Sequence, residues 1–262
     1  MSIPAHGKRA QRRAQRREDV LDAAMRIIVA EGLGALTIQR LAKATGASVG
    51  GLYRYYESKE SVIAALQLRA IGVFAEVQRD ELGRGAEFLA ARSNMLLPHA
   101  AALFSALVSI TSYLRFELRD PERHRLFDAF ISASEALVPE AAAQEVDAAI
   151  RPLIASIAAR LDGAAECGAL SPGDGVQRTY VVWAAMHGLN HFRKRDRIMP
   201  PQLRVTALRE QTLLAFFSGW GGDRDRFAEA YAQLASFEAL ELQRLAEQQA
   251  QMATAETSIA AS

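Results

Sequence analysis

The chain has 262 residues, half of them hydrophobic and 23% charged, and a formal net charge of +1. This composition is that of a folded protein with one large or two small domains, and it excludes a disordered or disulfide-rich chain. A single cysteine, Cys167, excludes a disulfide within the chain and a zinc site built from several cysteines.

The first predicted element is a basic arm, residues 1–13. Its cations repeat at the i, i+4 spacing of a helix in two series: Lys8, Arg12 and Arg16, then Arg9, Arg13 and Arg17. Because like charges repel, we expect the arm to be flexible and disordered in the free protein. On DNA it could order along phosphates or enter a minor groove, with Arg13 and Arg17 as contacts. A solvated tail is the alternative interpretation.

The net charge differs between the two ends of the chain. Residues 1–60 contain eleven Lys and Arg against six Asp and Glu, whereas the remainder contains 20 against 24. A basic N-terminal part on a mildly acidic body indicates that this part meets a polyanion. The N-terminus has no apolar stretch typical of a secretory signal, and no apolar run is predicted to approach the 18 or so residues of a membrane span. We therefore expect a cytoplasmic protein without membrane contact.

Helical signals dominate the rest of the N-terminal part. Apolar residues recur at helical spacing between residues 18 and 30, namely Val20, Leu21, Ala24, Ile27 and Ile28. Thr37 is then predicted to cap a two-turn helix that ends at Gly46, and Ser48 to cap a short helix through Tyr55. Ser58 and Ser61 open a longer helix, to about residue 81.

The second part is predicted to begin after the stretch "LGRGA", which contains Gly83 and Gly85. The apolar spacing and the prolines predict further helices over residues 86–96, 99–118, 121–136, 139–168, 174–196, 202–219 and 223–250. The last ten residues are predicted to be a frayed tail. Alternating β-branched runs are missing. The predicted fold is therefore all-α, with a three-helix head and a larger helical body.

Two short helices joined by "TGAS" have the length and the Gly-containing turn of a helix-turn-helix. In that unit the second helix enters the major groove of DNA. Gly50 and Gly51 are unfavourable inside a helix, by roughly 1 kcal/mol each, unless the backbone must approach another surface closely. Tyr53 and Tyr55 can offer hydroxyls to phosphates, and Lys59 at the start of the next helix can pair with one.

Residues 36–66, "LTIQRLAKATGASVGGLYRYYESKESVIAAL", resemble the DNA-binding head of the TetR family of transcriptional repressors. The resemblance extends over about residues 14–74 and is highly specific. It departs mildly at Ala47, where valine is common, and at Tyr56, where phenylalanine is usual. It implies that the hydroxyls of Thr37, Tyr53 and Tyr55 and the ammonium of Lys59 contact phosphates.

The same resemblance divides the remaining positions into two sets. The groove-facing set is Ser48, Val49, Gly50 and Gly51. The set that holds the helices together is Leu41, Ala42, Leu52 and Tyr56. The alternative is that the tyrosines merely pack that small core. The domains expected are the arm 1–13, the head 14–74 with its helix-turn-helix at about 37–56, a regulatory and dimerisation body 75–222, and an extra helix with the tail, 223–262.

A single head reads few base pairs, so a homodimer on a palindromic operator is expected. Helices 174–196 and 202–219 resemble the pair that forms the four-helix dimer interface of the family. The candidate interface residues are Leu189, Leu213, Leu214, Phe216 and Phe217. Core packing within one chain remains the alternative for each of them.

Family members commonly bind a small-molecule effector in the body. The candidate pocket residues are Phe104, Thr111, Tyr113, Phe116, Trp183 and His187. An ordinary core position is at least as good an interpretation for each one. His187 and His191 share the i, i+4 spacing that can bind zinc, but the sequence offers no obvious third ligand, so no metal and no cofactor is predicted.

Three functions remain open from the sequence. The first is a ligand-responsive DNA-binding repressor, the second is an architectural DNA-binding protein without an inducer, and the third is an all-α small-molecule binding protein. An enzyme is not supported, because nucleophile and base pairs, phosphate loops and metal sets are absent from the sequence.

Overall fold

Strong helix formers fill most positions of this chain, and the computed structural model is helical in all its regular elements. It describes residues 5–92, 97–132 and 137–260, and in these ranges it contains ten α-helices and no strand. The helices are α1 (Ala5–Glu31), α2 (Ile38–Thr45), α3 (Val49–Leu52), α4 (Lys59–Ala90), α5 (Pro98–Arg119), α6 (Pro121–Ser132), α7 (Glu140–Glu166), α8 (Gly175–Phe192), α9 (Val205–Gly219) and α10 (Arg224–Ala260). The predicted all-α fold is confirmed.

The chain divides into two units, of which the first contains residues up to Ala75 and Asp120–Arg151. Its centre is formed by leucines that are almost completely buried, Leu36, Leu41, Leu52 and Leu66. The predicted apolar stripe of α1 is buried against them except for the half-buried Ile27. Residues 120–151, which we had expected in the body, group with this unit.

The second unit contains Glu76–Arg119 and Pro152–Ser262, and α5 runs through its core. The extra helix α10 packs against α5. Its buried residues recur every three or four positions, at Phe227, Ala230, Leu234, Phe237 and Glu241. The ring of Phe237 meets those of Phe88 and Phe104 at 5.6 and 5.9 Å. The helix beyond the expected family length is therefore part of the hydrophobic core of this unit.

The predicted break at "LGRGA" is wrong, because α4 continues without interruption from Lys59 to Ala90. A Cβ added at Gly83 would meet nothing within 4 Å, whereas one at Gly85 would lie 3.3 Å from a methyl of Val108. Gly85 thus lets α5 approach α4 closely. That packing outweighs the roughly 1 kcal/mol by which a glycine weakens a helix.

The chain ends are also more helical than expected. Helix α1 begins at Ala5, so residues 5–13 of the arm are helical, and residues 1–4 lie outside the described residues. Helix α10 runs to Ala260 through most of the expected tail, and residues 261–262 lie outside the described residues. Extending an existing helix by one residue costs little free energy, and Ala, Gln, Arg and Glu favour the helical conformation. The expected helix positions 93–96 and 133–136 also lie outside the described residues.

One prediction about apolar runs needs correction. Helix α5, Pro98–Arg119, has the length and the composition of a membrane span, with a mean hydropathy of 1.2 over 18 residues. However, 72% of that window is buried inside the protein, as in the core helix of a water-soluble domain. It is the one helix of the described residues that meets this criterion.

Candidate nucleic-acid interface

The two short helices α2 and α3 are joined by a turn whose hydrogen bonds are all local. The hydroxyl of Thr37 accepts from the backbone N–H of Arg40 at 3.2 Å and caps α2. Gly46 follows the last residue of α2 with a φ of 64°, and the N–H of Ala47 donates to the carbonyl of Ala42 at 3.0 Å. This pattern closes the helix as a Schellman motif, for which glycine is favoured. The predicted start and end of α2 are confirmed.

Helix α3 has its N-terminal turn exposed. The Ser48 hydroxyl accepts from the N–H of Gly51 at 3.0 Å, so the predicted cap is confirmed, whereas the helix ends at Leu52 and not at Tyr55 as predicted. Gly51 is buried, and a Cβ there would lie 3.0 Å from the Ser48 hydroxyl oxygen. Gly50 is exposed, and a Cβ there would meet no atom within 4 Å. Ser48, Val49 and Gly50 therefore form an open surface, whereas Gly51, which was predicted to face the groove, is buried against the cap.

The three tyrosines after α3 occupy different environments. Tyr53 is 51% exposed, Tyr55 is half-buried and Tyr56 is only 3% exposed. The Tyr56 hydroxyl donates to the carbonyl of Arg17 at 3.4 Å, and burial raises the pKa of this phenol. The extra hydroxyl at position 56 thus has a partner. Core packing accounts for Tyr56, while Tyr53 remains available to an external ligand.

Arg17 has a role inside the head that its place in a basic series does not indicate. Its guanidinium donates to the carbonyl of Tyr55 at 3.0 Å and lies 4.5 Å from the ring centroid of Tyr56. This side chain joins α1 to the end of α3, and it is exposed, so its predicted contact with DNA stays a prediction. Arg13, one turn earlier on α1, is exposed.

One arginine near α3, Arg54, was not among the predicted DNA contacts. Arg54 is exposed and lines, with Arg16 and Tyr55, a shallow depression beside α3. Asp19 lies in the same depression and pairs with Arg16 at 3.5 Å. Arg54 could have been found from its place between Tyr53 and Tyr55. The surface beside the exposed turn therefore carries cationic side chains in addition to the hydroxyls.

The flanking ion pairs fix α1 to its neighbours. Arg69 of α4 pairs with Asp22 and Glu18 at 2.6 and 3.4 Å. Arg40 of α2 pairs with Glu31, and this hydrogen bond holds the pKa of the Glu31 carboxyl below its usual range. Arginines of α2 and α4 thus form ion pairs with acidic side chains along α1 and at the C-terminal end of α1.

Lys59 is the first residue of α4 and is half-buried. Two reciprocal hydrogen bonds join the serines on either side of it: Ser61 N–H donates to the Ser58 hydroxyl at 3.2 Å, and Ser58 N–H donates to the Ser61 hydroxyl at 3.1 Å. The predicted pair of serines is therefore a capping box. It places the ammonium of Lys59 at the positive end of a helix, where a phosphate would be stabilised.

The candidate ligand residues of the second unit lie in different surroundings. Tyr113 is buried, and its hydroxyl lies 3.2 Å from Nδ1 of His187. Phe104 stacks on Phe88 at 5.4 Å inside the core. The Thr111 hydroxyl accepts from Arg115 at 2.7 Å. Of these contacts, the one between Tyr113 and His187 joins two candidate residues directly.

The two other candidate ligand residues differ in burial. Phe116 is completely buried. Trp183 is half-buried and lies with its ring 6.1 Å from that of Tyr180. Core packing explains Phe116, while Trp183 belongs to the more exposed side of α8.

The candidate dimer residues also separate by burial. Leu213 and Phe217 are completely buried within the protomer, so their assignment to an interface is corrected. They lie one turn apart on the same face of α9, and the Phe217 ring meets that of Phe227 on α10 at 5.6 Å. The remaining three, Leu189, Leu214 and Phe216, are half-buried.

Exposed apolar side chains on α8 were not among the candidates. Val176, Tyr180 and Val181 are 47%, 43% and 43% exposed. Gly188, further along α8, has open space where a Cβ would be. Apolar side chains beside a small residue form a surface that another helix can approach closely.

Two family models match this chain. Residues 20–66 match the model described as bacterial regulatory proteins, tetR family, and residues 109–216 match that of the tetracyclin repressor-like C-terminal domain. Together the two matches include more than half of the chain. No curated protein matches it.

Solved structures of similar fold have low sequence identity to this chain. A protein with unknown function from Rhodococcus sp. RHA1 is 20% identical with a TM-score of 0.55, covering 78% of this chain and 94% of that one. The transcriptional regulator FadR from Bacillus subtilis, in complex with stearoyl-CoA, is 16% identical with a TM-score of 0.55, covering 77% and 98%. RolR, in complex with resorcinol, is 15% identical with a TM-score of 0.52, covering 84% and 95%. These similarities establish the fold.

Proposed function

This chain belongs to the tetR family of bacterial regulatory proteins, and from that premise we propose that it is a sequence-specific DNA-binding regulator of transcription. It acts in the cytoplasm as a repressor and leaves a palindromic operator when a small, largely apolar ligand binds. The observation that carries the proposal is the open N-terminal turn of α3, with Ser48, Val49 and Gly50 exposed on a capped and buried framework.

The exposed turn fits the geometry of major-groove contact. A recognition helix contacts base edges with its N-terminal residues, and the residues around it contact phosphates. The side chains available for phosphates here are those of Thr37, Tyr53, Arg54 and Lys59, which are exposed or half-buried. Because Leu52 and Tyr56 are buried in the same segment, the two faces of α3 have different roles.

A homodimer supplies the two heads that a palindrome needs. The exposed apolar side chains of α8, Val176, Tyr180 and Val181, support an interface on this helix. Half-buried Leu214 and Phe216 on α9 extend the same proposal to a four-helix arrangement. An aromatic side chain near small residues at such a face is a good interface anchor.

The proposed ligand site is centred on Tyr113 and His187. A buried hydroxyl and an imidazole in contact are polar groups that could orient a ligand in an otherwise apolar unit. FadR holds stearoyl-CoA and RolR holds resorcinol, so proteins of this fold hold ligands with long chains and with aromatic rings. For this chain we infer a largely apolar ligand with a hydroxyl or carbonyl group.

Selection of bound sites from random DNA tests the proposal directly. We expect enrichment of an inverted repeat whose half-sites are separated by about one turn of DNA. A chain with Val49→Asp and Tyr53→Ala provides the control, since both side chains are exposed and their replacement should leave the fold intact. Equal recovery of all sequences by the unmodified protein would contradict sequence-specific regulation.

A further inference from the structure

A network of buried charges joins four helices of the second unit. Arg115 on α5 donates to Glu81 on α4 at 2.9 Å and to Glu238 on α10 at 2.7 Å. Arg209 on α9 donates to both oxygens of Glu238 at 3.1 and 2.8 Å. Arg115 also donates to the Thr111 hydroxyl and to the backbone. With a second bond to Glu81 at 2.8 Å, all five donors of this central arginine are used, and the two arginines of this end are matched by two carboxylates.

The other end of the network is centred on Glu241 of α10. Arg84 on α4 donates to its two oxygens at 2.7 and 2.8 Å, and Arg244 donates to one of them at 3.3 Å. The Glu241 side chain is 5% exposed, whereas those of Arg84 and Arg244 are 22% and 31% exposed. The Nε atom of Arg244 is buried and has no acceptor among the described residues. One carboxylate is therefore shared by two arginines at the edge of the core.

Arg119 brings a third guanidinium toward this edge. It follows Arg115 by one helical turn on the same face of α5, and long side chains on a helix lean toward its N-terminus. Arg119 is half-buried and forms no hydrogen bond or ion pair with any of the described residues. Burial and the positive charges of Arg84 and Arg244 lower its pKa, and the negative charges of Glu81 and Glu241 offset only part of this lowering.

The charges of the network do not balance. It contains five arginines and three glutamates, counting Arg119 with the paired groups of the described residues. A partly buried cation that has no hydrogen-bonded or closely paired acceptor is unfavourable, and it is stabilised when an anion binds beside it. Planar guanidinium groups match the oxygens of phosphate and carboxylate in paired hydrogen bonds.

We propose that Arg84, Arg119 and Arg244 form a binding site for the oxyanion group of a small molecule, either a phosphate or a carboxylate. The site lies at the edge of the core where α4, α5 and α10 meet. It depends on α10, which lies beyond the residues 109–216 that the C-terminal family model matches. It is independent of DNA binding and of the Tyr113 and His187 contact.

Titration calorimetry on the full chain, at constant ionic strength, tests the proposal with inorganic phosphate in one arm and acetate in the other. We expect saturable binding in at least one arm, and the preferred arm identifies the source of the oxyanion. Arg119→Gln and Arg244→Gln should each weaken that binding at least tenfold. The matched control is Arg224→Gln, because Arg224 is exposed at the start of the same helix, about 30 Å from Arg244 along the helix axis.

Thermal unfolding supplies a second measurement that separates this site from a structural role of Arg119. Without phosphate or acetate, Arg119→Gln should unfold at a higher temperature than the unmodified protein, because a like charge is removed. The bound anion should then no longer raise the unfolding temperature. A lower unfolding temperature for Arg119→Gln, unchanged anion affinity in that variant, or no saturable binding by the unmodified chain would overturn the proposal.

Discussion

Substitution of Gly50 by alanine should change fold stability and DNA affinity in opposite directions. A Cβ at position 50 meets no protein atom within 4 Å, and its φ is not left-handed, so the side chain introduces no clash within the chain. Because alanine favours a helix over glycine, we expect the free energy of unfolding to rise by a few tenths up to about 1 kcal/mol. The position is exposed on the surface that we assign to the groove.

On DNA, the added methyl would lie between the backbone of α3 and the duplex. Inserting a methyl into a close-packed contact destabilises it by about 1 to 3 kcal/mol, so we expect at least a tenfold weaker operator complex, or about 1.4 kcal/mol. Fluorescence anisotropy with the selected operator measures the affinity, and urea unfolding measures the stability of the same sample.

The matched control is Gly72→Ala. Gly72 is also exposed, lies in helix α4 of the same unit and has open space where a Cβ would be. It should gain similar stability and keep its full DNA affinity. If Gly50→Ala bound the operator as tightly as Gly72→Ala, the close approach of α3 to DNA would be refuted.

Three further predictions concern phosphate contact, assembly and the buried network. Lys59→Ala should reduce the slope of log affinity against log salt by about 1 per half-site, and an unchanged slope in anisotropy titrations would exclude its phosphate contact. Val181→Asp should convert the dimer to a folded monomer in sedimentation at micromolar concentration; a dimer that persisted would exclude α8 from the interface. Burial disfavours the Glu241 carboxylate, but its hydrogen bonds and charge interaction with Arg84 outweigh that cost and lower the pKa of Glu241. The resulting stabilisation is present above the pKa of the unfolded chain and is lost as the pH falls through the lower pKa of the folded chain. Glu241→Gln should therefore lower the free energy of unfolding by about 2 kcal/mol at pH 7, and that difference should shrink below about pH 4.5. Urea unfolding across this pH range measures the difference. A difference that did not depend on pH would contradict the charge pairing.

Local signals of the head could be predicted from the sequence because they act over three or four residues. The Thr37 and Ser48 caps, the Gly46 turn and the Ser58 with Ser61 pair each depend on hydrogen bonds within such a short distance. Their residue types are the ones that the backbone geometry demands. For this reason the helix-turn-helix boundaries agree with the structure to within a few residues.

Contacts between distant segments could not be predicted in the same way. The spacing of α9 shows that Leu213 and Phe217 share a face, but only the structure places α10 against that face. Arg17 belongs to a regular basic series, and its bond to Tyr55 joins residues 38 positions apart. Helical periodicity identifies the apolar side of a helix, while the partner that covers this side depends on the whole fold.

The core position of α10 affects how this protein should be shortened for expression. A recombinant chain that stops near residue 216, where the family match ends, would remove Phe237 from Phe88 and Phe104 and Glu238 from Arg115. The exposed rings and the orphaned guanidinium would favour insoluble protein instead of a smaller working regulator. Residues 246–251 are exposed to solvent, so purification tags are better placed C-terminal to them.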